Sequence, residues 1–170
     1  MPAMRLIRAL PESVRQRAVR LISPSYTCGS QARVIRDDGR ILLVKAAYRW
    51  RWGLPGGLMD AGEGPTSAVR REVLEETGLD VVVEADPLVV VEVDMRRINF
   101  VFNAVPAPGA DPDDLRPQAS EIREIGWFSF DALPDIIPDR TRDVIAPDGA
   151  ATGEQRLIEA NEFFFDAPTP

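Results

Sequence analysis

GLMDAGEGPTSAVRREVLEETGL, residues 57–79 (Gly57–Leu79), is the stretch on which the reading of this chain turns. Pro65 at a first helical position and Gly78 at a C′ position bracket a predicted helix over Pro65–Thr77. At about 100° per residue, Glu75 falls about 60° to one side of Glu72 and Glu76 about 40° to the other, so three carboxylates share one face. Like charges on adjacent turns repel, and a sequence tolerates them where a cation compensates. Ala68, Val69, Val73 and Leu79 supply the packing side, so the acidic face points toward a site or toward solvent. Hard oxygen donors of this kind suit Mg²⁺ or Mn²⁺ rather than zinc or copper. Read alone, Arg71-Glu72-x-x-Glu75-Glu76 fits equally a solvated face whose arginines form surface pairs. The Gly56-Gly57 pair just before it lets a backbone approach an ion or a phosphate closely, or makes an ordinary turn.

Outward from this stretch, the preceding residues 46–64 carry Gly53, Gly56, Gly57, Gly62 and Gly64 with Trp50 and Trp52, and read as loop. Before them, Thr27–Arg36 and Arg40–Lys45 read as a hairpin about Asp37-Asp38-Gly39, with Ile41–Val44 apolar enough to be buried on both faces. After the helix come strands over about Val81–Asp94, broken near Asp86-Pro87, and over Ile98–Val105, joined near Met95–Arg97. Pro106–Gln118 is a proline- and aspartate-rich solvated loop. Glu121–Phe128 is a further strand, with a turn or short helix at Asp131–Leu133, and Glu154–Phe165 reads as a terminal helix. Residues 1–25 form a helical extension, with Val14, Ala18, Leu21 and Ile22 as its apolar stripe between Pro11 and Ile22, and 26–170 form one domain. A mixed α/β fold follows.

Composition removes several chemistries. The chain of 170 residues has no histidine, so histidine triads and HExxH zinc sites are excluded. One cysteine, Cys28, permits no intrachain disulfide and no cysteine-rich zinc site. Nineteen of the twenty basic residues are arginine, Lys45 being the exception, and the net charge of −7 disfavours stable binding of nucleic acid through its phosphates. No apolar run reaches the roughly 18 residues of a membrane span. Without a signal peptide or disulfides, the expected location is the cytoplasm.

Gly57–Leu79 resembles the Nudix box, G-x5-E-x7-R-E-U-x-E-E-x-G-U with U a bulky aliphatic, at all nine defined positions. At ordinary residue frequencies such a match arises by chance on the order of once in a billion start positions. The lead-in Trp52–Gly57 and the late Glu124–Phe128 also resemble Nudix hydrolases of the MutT type. The resemblance implies an α/β/α sandwich with a mixed β-sheet. It implies that Glu72, Glu75 and Glu76 bind metal, with Glu76 most central and the Gly56 carbonyl facing a metal. Glu63 and Arg71 form the pair that orders loop against helix, while Gly57 and Gly78 are conformational. The reaction implied is metal-dependent attack of water on phosphorus in a nucleoside diphosphate linked to another moiety, with Mg²⁺ or Mn²⁺ as cofactor. Glu72 or Glu121 accepts the water proton.

Substrate choice lies outside the box. Val93-Asp94-Met95-Arg96 stand where the ADP-ribose subgroup has a proline and the dinucleoside polyphosphate subgroup a tyrosine. Tyr48, Arg49, Trp50, Arg51 and Phe102 are the candidate contacts to base, sugar or phosphate, with Trp50 and Trp52 as loop anchors the alternative. The partner expected is a small nucleotide. A Nudix domain that binds a nucleotide without cleaving it, as sensor or scaffold, is the competing reading, and action on RNA 5′ ends a third. The N-terminal helix and Phe163-Phe164-Phe165 are candidate contacts of a homodimer.

Overall fold

The computed structural model describes residues 11, 12, 14, 23, 25–117, 121–135, 144, 145 and, for the backbone, 157–160. Eight strands and one helix of more than one turn stand among them: β1 (Thr27–Val34), β2 (Ile41–Ala46), β3 (Gly56–Leu58), α1 (Pro65–Thr77), β4 (Val81–Val83), β5 (Leu88–Glu92), β6 (Arg97–Pro106), β7 (Ile122–Phe128) and β8 (Leu157–Ala160). The large sheet runs β3-β1-β6-β5-β8, with β4 also on β6, and is mixed. β1 lies parallel to β6 and β5 parallel to β8, while β3, β4 and β5 pair antiparallel with their neighbours β1 and β6. β2 and β7 form a separate antiparallel pair.

The apolar run Ile41–Val44 is explained by side-chain alternation. Leu42 joins one core with Ala32, Val34, Val69, Val73, Phe102 and Ala104, whereas Ile41 and Leu43 join a second core with Leu54, Val101, Val144 and Ile145. A strand buried on both faces needs apolar residues at every position. α1 covers the first core through Val69 and Val73, each worth about 1.5–3 kcal/mol of burial. Val144 and Ile145, in helical conformation, lie in the second. This gives the layers of the expected α/β architecture.

Three expectations are corrected. Thr27–Arg36 and Arg40–Lys45 share only the Ile35–Ile41 bridge, not a hairpin ladder. The turn forms as expected, with the Arg36 and Gly39 amides donating to the Arg40 and Arg36 carbonyls. However, β3 and β6 already take both edges of β1, leaving β2 to pair with β7. Within the stretch read as loop, Gly56–Leu58 is a strand. It lies so close to β1 that a Cβ on Gly56, whose φ is 143°, would stand 2.2 Å from the Ser30 carbonyl oxygen. Residues 157–160 of the expected terminal helix are extended along β5, because pairing an open sheet edge outweighs local propensity. Of the N-terminal helix only residues 11, 12 and 14 are described, Glu12 and Val14 being helical. The rest of that helix and Phe163–Phe165 lie outside the described residues.

The loop after β6 exposes its aspartates, as expected, and is also docked on the first core as a strap. Ala110 and Leu115 pack on that core, and the Trp127 indole N–H donates to the Pro112 carbonyl at 2.7 Å. Arg36 pairs with Asp113 at 2.7 Å and lies over the Trp127 ring. The Arg116 amide donates to the Thr77 carbonyl at 2.8 Å, satisfying a carbonyl of the last helical turn. Trp127→Phe keeps most of the ring but removes the N–H, and should cost about 1 kcal/mol. Urea unfolding reads this directly. An unchanged midpoint and slope would mean that the strap is held without that bond.

Candidate active site

The acidic face of α1 is positioned by the opposite face. Ala68, Val69, Val73 and Thr77 are buried against the sheet, and the Ser30 hydroxyl donates to the Pro65 carbonyl at 2.7 Å. At the far end Gly78, at φ 76°, donates its amide to the Leu74 carbonyl and ends the helix in a left-handed turn. With both ends and the buried stripe set, Glu72, Glu75 and Glu76 have little freedom in where they emerge.

Arg71 organises the loop around them. Its Nε and Nη2 donate to the two oxygens of Glu63 at 3.1 and 3.0 Å, and Nη2 also donates to the Leu58 carbonyl at 3.2 Å. Nη1 donates to Glu72 Oε1 at 2.8 Å and to Glu75 Oε2 at 3.2 Å. All five guanidinium N–H donors are thereby engaged. Glu63 also accepts the Asp60 amide. The Arg71 fork, followed by that amide, holds Glu63 below the ordinary carboxylate range. Arg71 in turn is driven further toward its charged form, Glu63 being the largest cause.

The two inner carboxylates close on the glycine pair. Glu76 Oε2 accepts the Gly56 amide at 2.8 Å, and the Glu72 carboxylate lies where a Cβ on Gly57 would fall, 2.6 Å away. Burial pushes Glu76 up to about 7, with repulsion from Glu72 and Glu121 adding to it, while the Gly56 amide and the charge of Arg49 oppose it. Burial also raises Glu72, against the pull of Arg71. Two inner carboxylates whose charge is penalised, on a scaffold offering only oxygen donors, match a hard divalent cation. As the side chains lie, no group of three potential ligands converges among the described residues. Arg71 draws Glu72 and Glu75 toward Glu63, and Gly56 draws Glu76 away.

Other candidates are placed less centrally. Glu121 stands immediately before β7, its carbonyl accepting the Ala47 amide at 2.6 Å and its charge reaching Glu76. Arg49 lies over the Tyr48 ring, and Arg51 over Trp50 with 4.0 Å from guanidinium carbon to ring centroid. Tyr48 and Trp50 are exposed, whereas Trp52 anchors the loop, stacked edge-on against Phe128 at 4.8 Å. Phe102 is corrected: it is 1% exposed, packed in the first core between α1 and the sheet, and reaches no substrate. Two contacts had no signal in the residue pattern because both use backbone: the Leu58 carbonyl on Arg71 and the Gly56 amide on Glu76.

Comparison with known proteins agrees with this geometry. The family model described as NUDIX domain matches residues 30–146. A MutT-like protein of Streptomyces ambofaciens is 33% identical over 72% of this chain and 74% of its own length. A putative 8-oxo-dGTP diphosphatase of Bacillus subtilis is 32% identical over 70% of this chain and 78% of its own. Among solved structures, the MutT NUDIX hydrolase from Burkholderia pseudomallei superposes with a TM-score of 0.58 at 32% identity, covering 72% of this chain and 97% of that one.

Two outcomes are expected. A carboxylate raised in the folded state favours folding fully below its unfolded value and loses that contribution as pH climbs through its folded value. In chelator-treated protein, stability should therefore decline between pH 4.5 and about 7, the window set by Glu76, by about 3 kcal/mol. Glu76→Gln should flatten that decline, and a slope identical in both proteins would remove Glu76 as its source. Arg71→Lys keeps the charge but loses the planar fork, and should lower the unfolding free energy by about 1–2 kcal/mol. Denaturant titration of the two proteins side by side measures it.

Proposed function

The chain belongs to the Nudix family and is a hydrolase of phosphoric anhydride bonds, and from that premise we propose that it cleaves a nucleoside diphosphate linked to another moiety, using Mg²⁺ or Mn²⁺. The observation that carries this reading is the full use of Arg71 between Glu63 and α1, which sets Glu72 and Glu76 against Gly56-Gly57. The burial that raises Glu72 and Glu76 supports a place for a cation on this face.

Glu72, Glu75, Glu76 and the Gly56 carbonyl would hold the cation, Glu75 turning from Arg71 to do so. When bound, the divalent ions supply charge neutralisation of the phosphates and a lowered pKa of water. The remaining work falls to side chains. Arg71 and Glu63 keep the loop at a fixed distance from the helix, so that the backbone around the carboxylates need not reorganise. Glu72 or Glu121 takes the proton as the water oxygen bonds to phosphorus and the bridging phosphorus–oxygen bond breaks. Burial favours a proton on Glu72, and the charge of Glu121 acts on Glu76, which supports both as candidates. Arg49 is suited to a substrate phosphate.

The activity printed for the Bacillus subtilis relative puts oxidised purine nucleoside triphosphates first among substrates to try, followed by nucleotide sugars, ADP-ribose, NADH and dinucleoside polyphosphates. With Mg²⁺ or Mn²⁺, release of phosphate or pyrophosphate from one class far above the others is expected. Glu76→Gln should lower kcat at least about a hundredfold, beyond the ten- to hundredfold typical of groups that only support a ligand, while circular dichroism stays unchanged. Wild-type turnover in that variant would sink the assignment. Metal-dependent nucleotide binding without turnover of any class would favour the sensor reading.

A further inference from the structure

Trp50 is a large apolar side chain that the fold leaves uncovered. It is 48% exposed, although two residues away Trp52 is drawn into the second core against Phe128. The loop that carries Trp50 is not loose. The Ala47 amide donates to the Glu121 carbonyl, the Arg49 amide to the Ala46 carbonyl and the Trp52 amide to the Asp135 carbonyl, while Val44 and Gly53 exchange a pair of backbone bonds. Arg51 lies on one side of the indole at 4.0 Å, so the exposure falls on the other face and the edge. A cation on one face of a ring fixes its rotamer before any ligand arrives, which reduces the ordering cost of a contact on the opposite face. Three residues beyond Gly53, where the loop is tied back to β2, the Gly56 amide donates to Glu76 at 2.8 Å. The loop therefore joins a preorganised aromatic face to the carboxylate cluster.

We propose that the free face of Trp50, backed by Arg51, is a stacking platform for the base of a nucleotide whose phosphates lie at the Glu72–Glu76 cluster. This rests on the nucleotide-hydrolase reading and adds the substrate's base to it. Every base presents a π-face, so the platform sets a preference by stacking area, purine over pyrimidine, rather than by hydrogen-bond pattern. Tyr48, 71% exposed with Arg49 over its ring, repeats the arrangement two residues earlier.

The test separates base from phosphate. Binding of a methylene-bridged, non-hydrolysable purine nucleoside triphosphate and of tripolyphosphate, which has no base, is measured with Mg²⁺ for wild type, Trp50→Ala and Trp50→Phe. Trp50→Ala should weaken the nucleotide analogue about tenfold or more and leave tripolyphosphate unchanged, with Trp50→Phe restoring most of the loss. The analogue should also quench tryptophan emission in wild type, and that quenching should largely vanish in Trp50→Phe even though binding survives. Equal weakening of both probes in Trp50→Ala would mean a structural role for the loop and would overturn the platform, as would unaltered binding of the analogue. If wild type binds neither probe, the nucleotide-hydrolase reading falls and the platform with it. Tripolyphosphate binding with no gain from the base overturns the platform alone.

Discussion

One guanidinium holds the site together. Among the described residues Arg71 is the cation through which the loop before α1 and the acidic face of α1 are joined, since its five donors reach Glu63, the Leu58 carbonyl, Glu72 and Glu75 at once. An ammonium group has three donors around one point and cannot span a loop and two helical turns in the same way. The charge is also needed. Several carboxylates brought within a few ångströms repel one another, and a partly buried pair such as Glu72 and Glu76 is held more easily with a fixed opposing charge on the same scaffold.

The sheet supplies what Arg71 cannot: a floor against which the helix is pressed. β1 is sandwiched edge to edge between β3 and β6, and its inward residues meet Val69 and Val73 of α1. The same strand gives β3 its place, so the Gly56 amide lies within 2.8 Å of Glu76 because β3 is hydrogen-bonded to β1. A glycine at 56 is demanded by this approach, its φ of 143° and the nearby Ser30 carbonyl leaving no space for a side chain. Core packing and site geometry are thus one arrangement: a change in the seating of α1 on β1 moves the carboxylates relative to the glycine pair.

The strap between β6 and β7 binds the periphery to that centre. Its bond from Arg116 to Thr77 lies one residue beyond Glu76. Trp127 and Arg36 hold it from the side of the first core. A composition of prolines and aspartates reads as solvated loop because each such residue is local in its effect, whereas docking depends on Ala110 and Leu115 finding an apolar surface made by distant strands.

Much was determined by the sequence alone. The span of α1 follows from Pro65, Gly78 and the 3.6-residue period, and the grouping of Glu72, Glu75 and Glu76 on one face follows from helix geometry. The burial of Ile41–Val44 on both faces follows from the absence of any polar residue in the run. The pairing of Glu63 with Arg71 came from the box pattern, which carries long-range information that periodicity lacks. Only the tertiary structure decided the rest. It sent Phe102 into the core and left Trp50 half exposed, because burial depends on which neighbours arrive from other strands. It paired β2 with β7 rather than β1, and drew residues 157–160 along β5, because a backbone edge is filled by whatever strand reaches it and not by what its own residues prefer. It also turned the Gly56 amide onto Glu76, a bond between two points 20 residues apart that no local rule encodes.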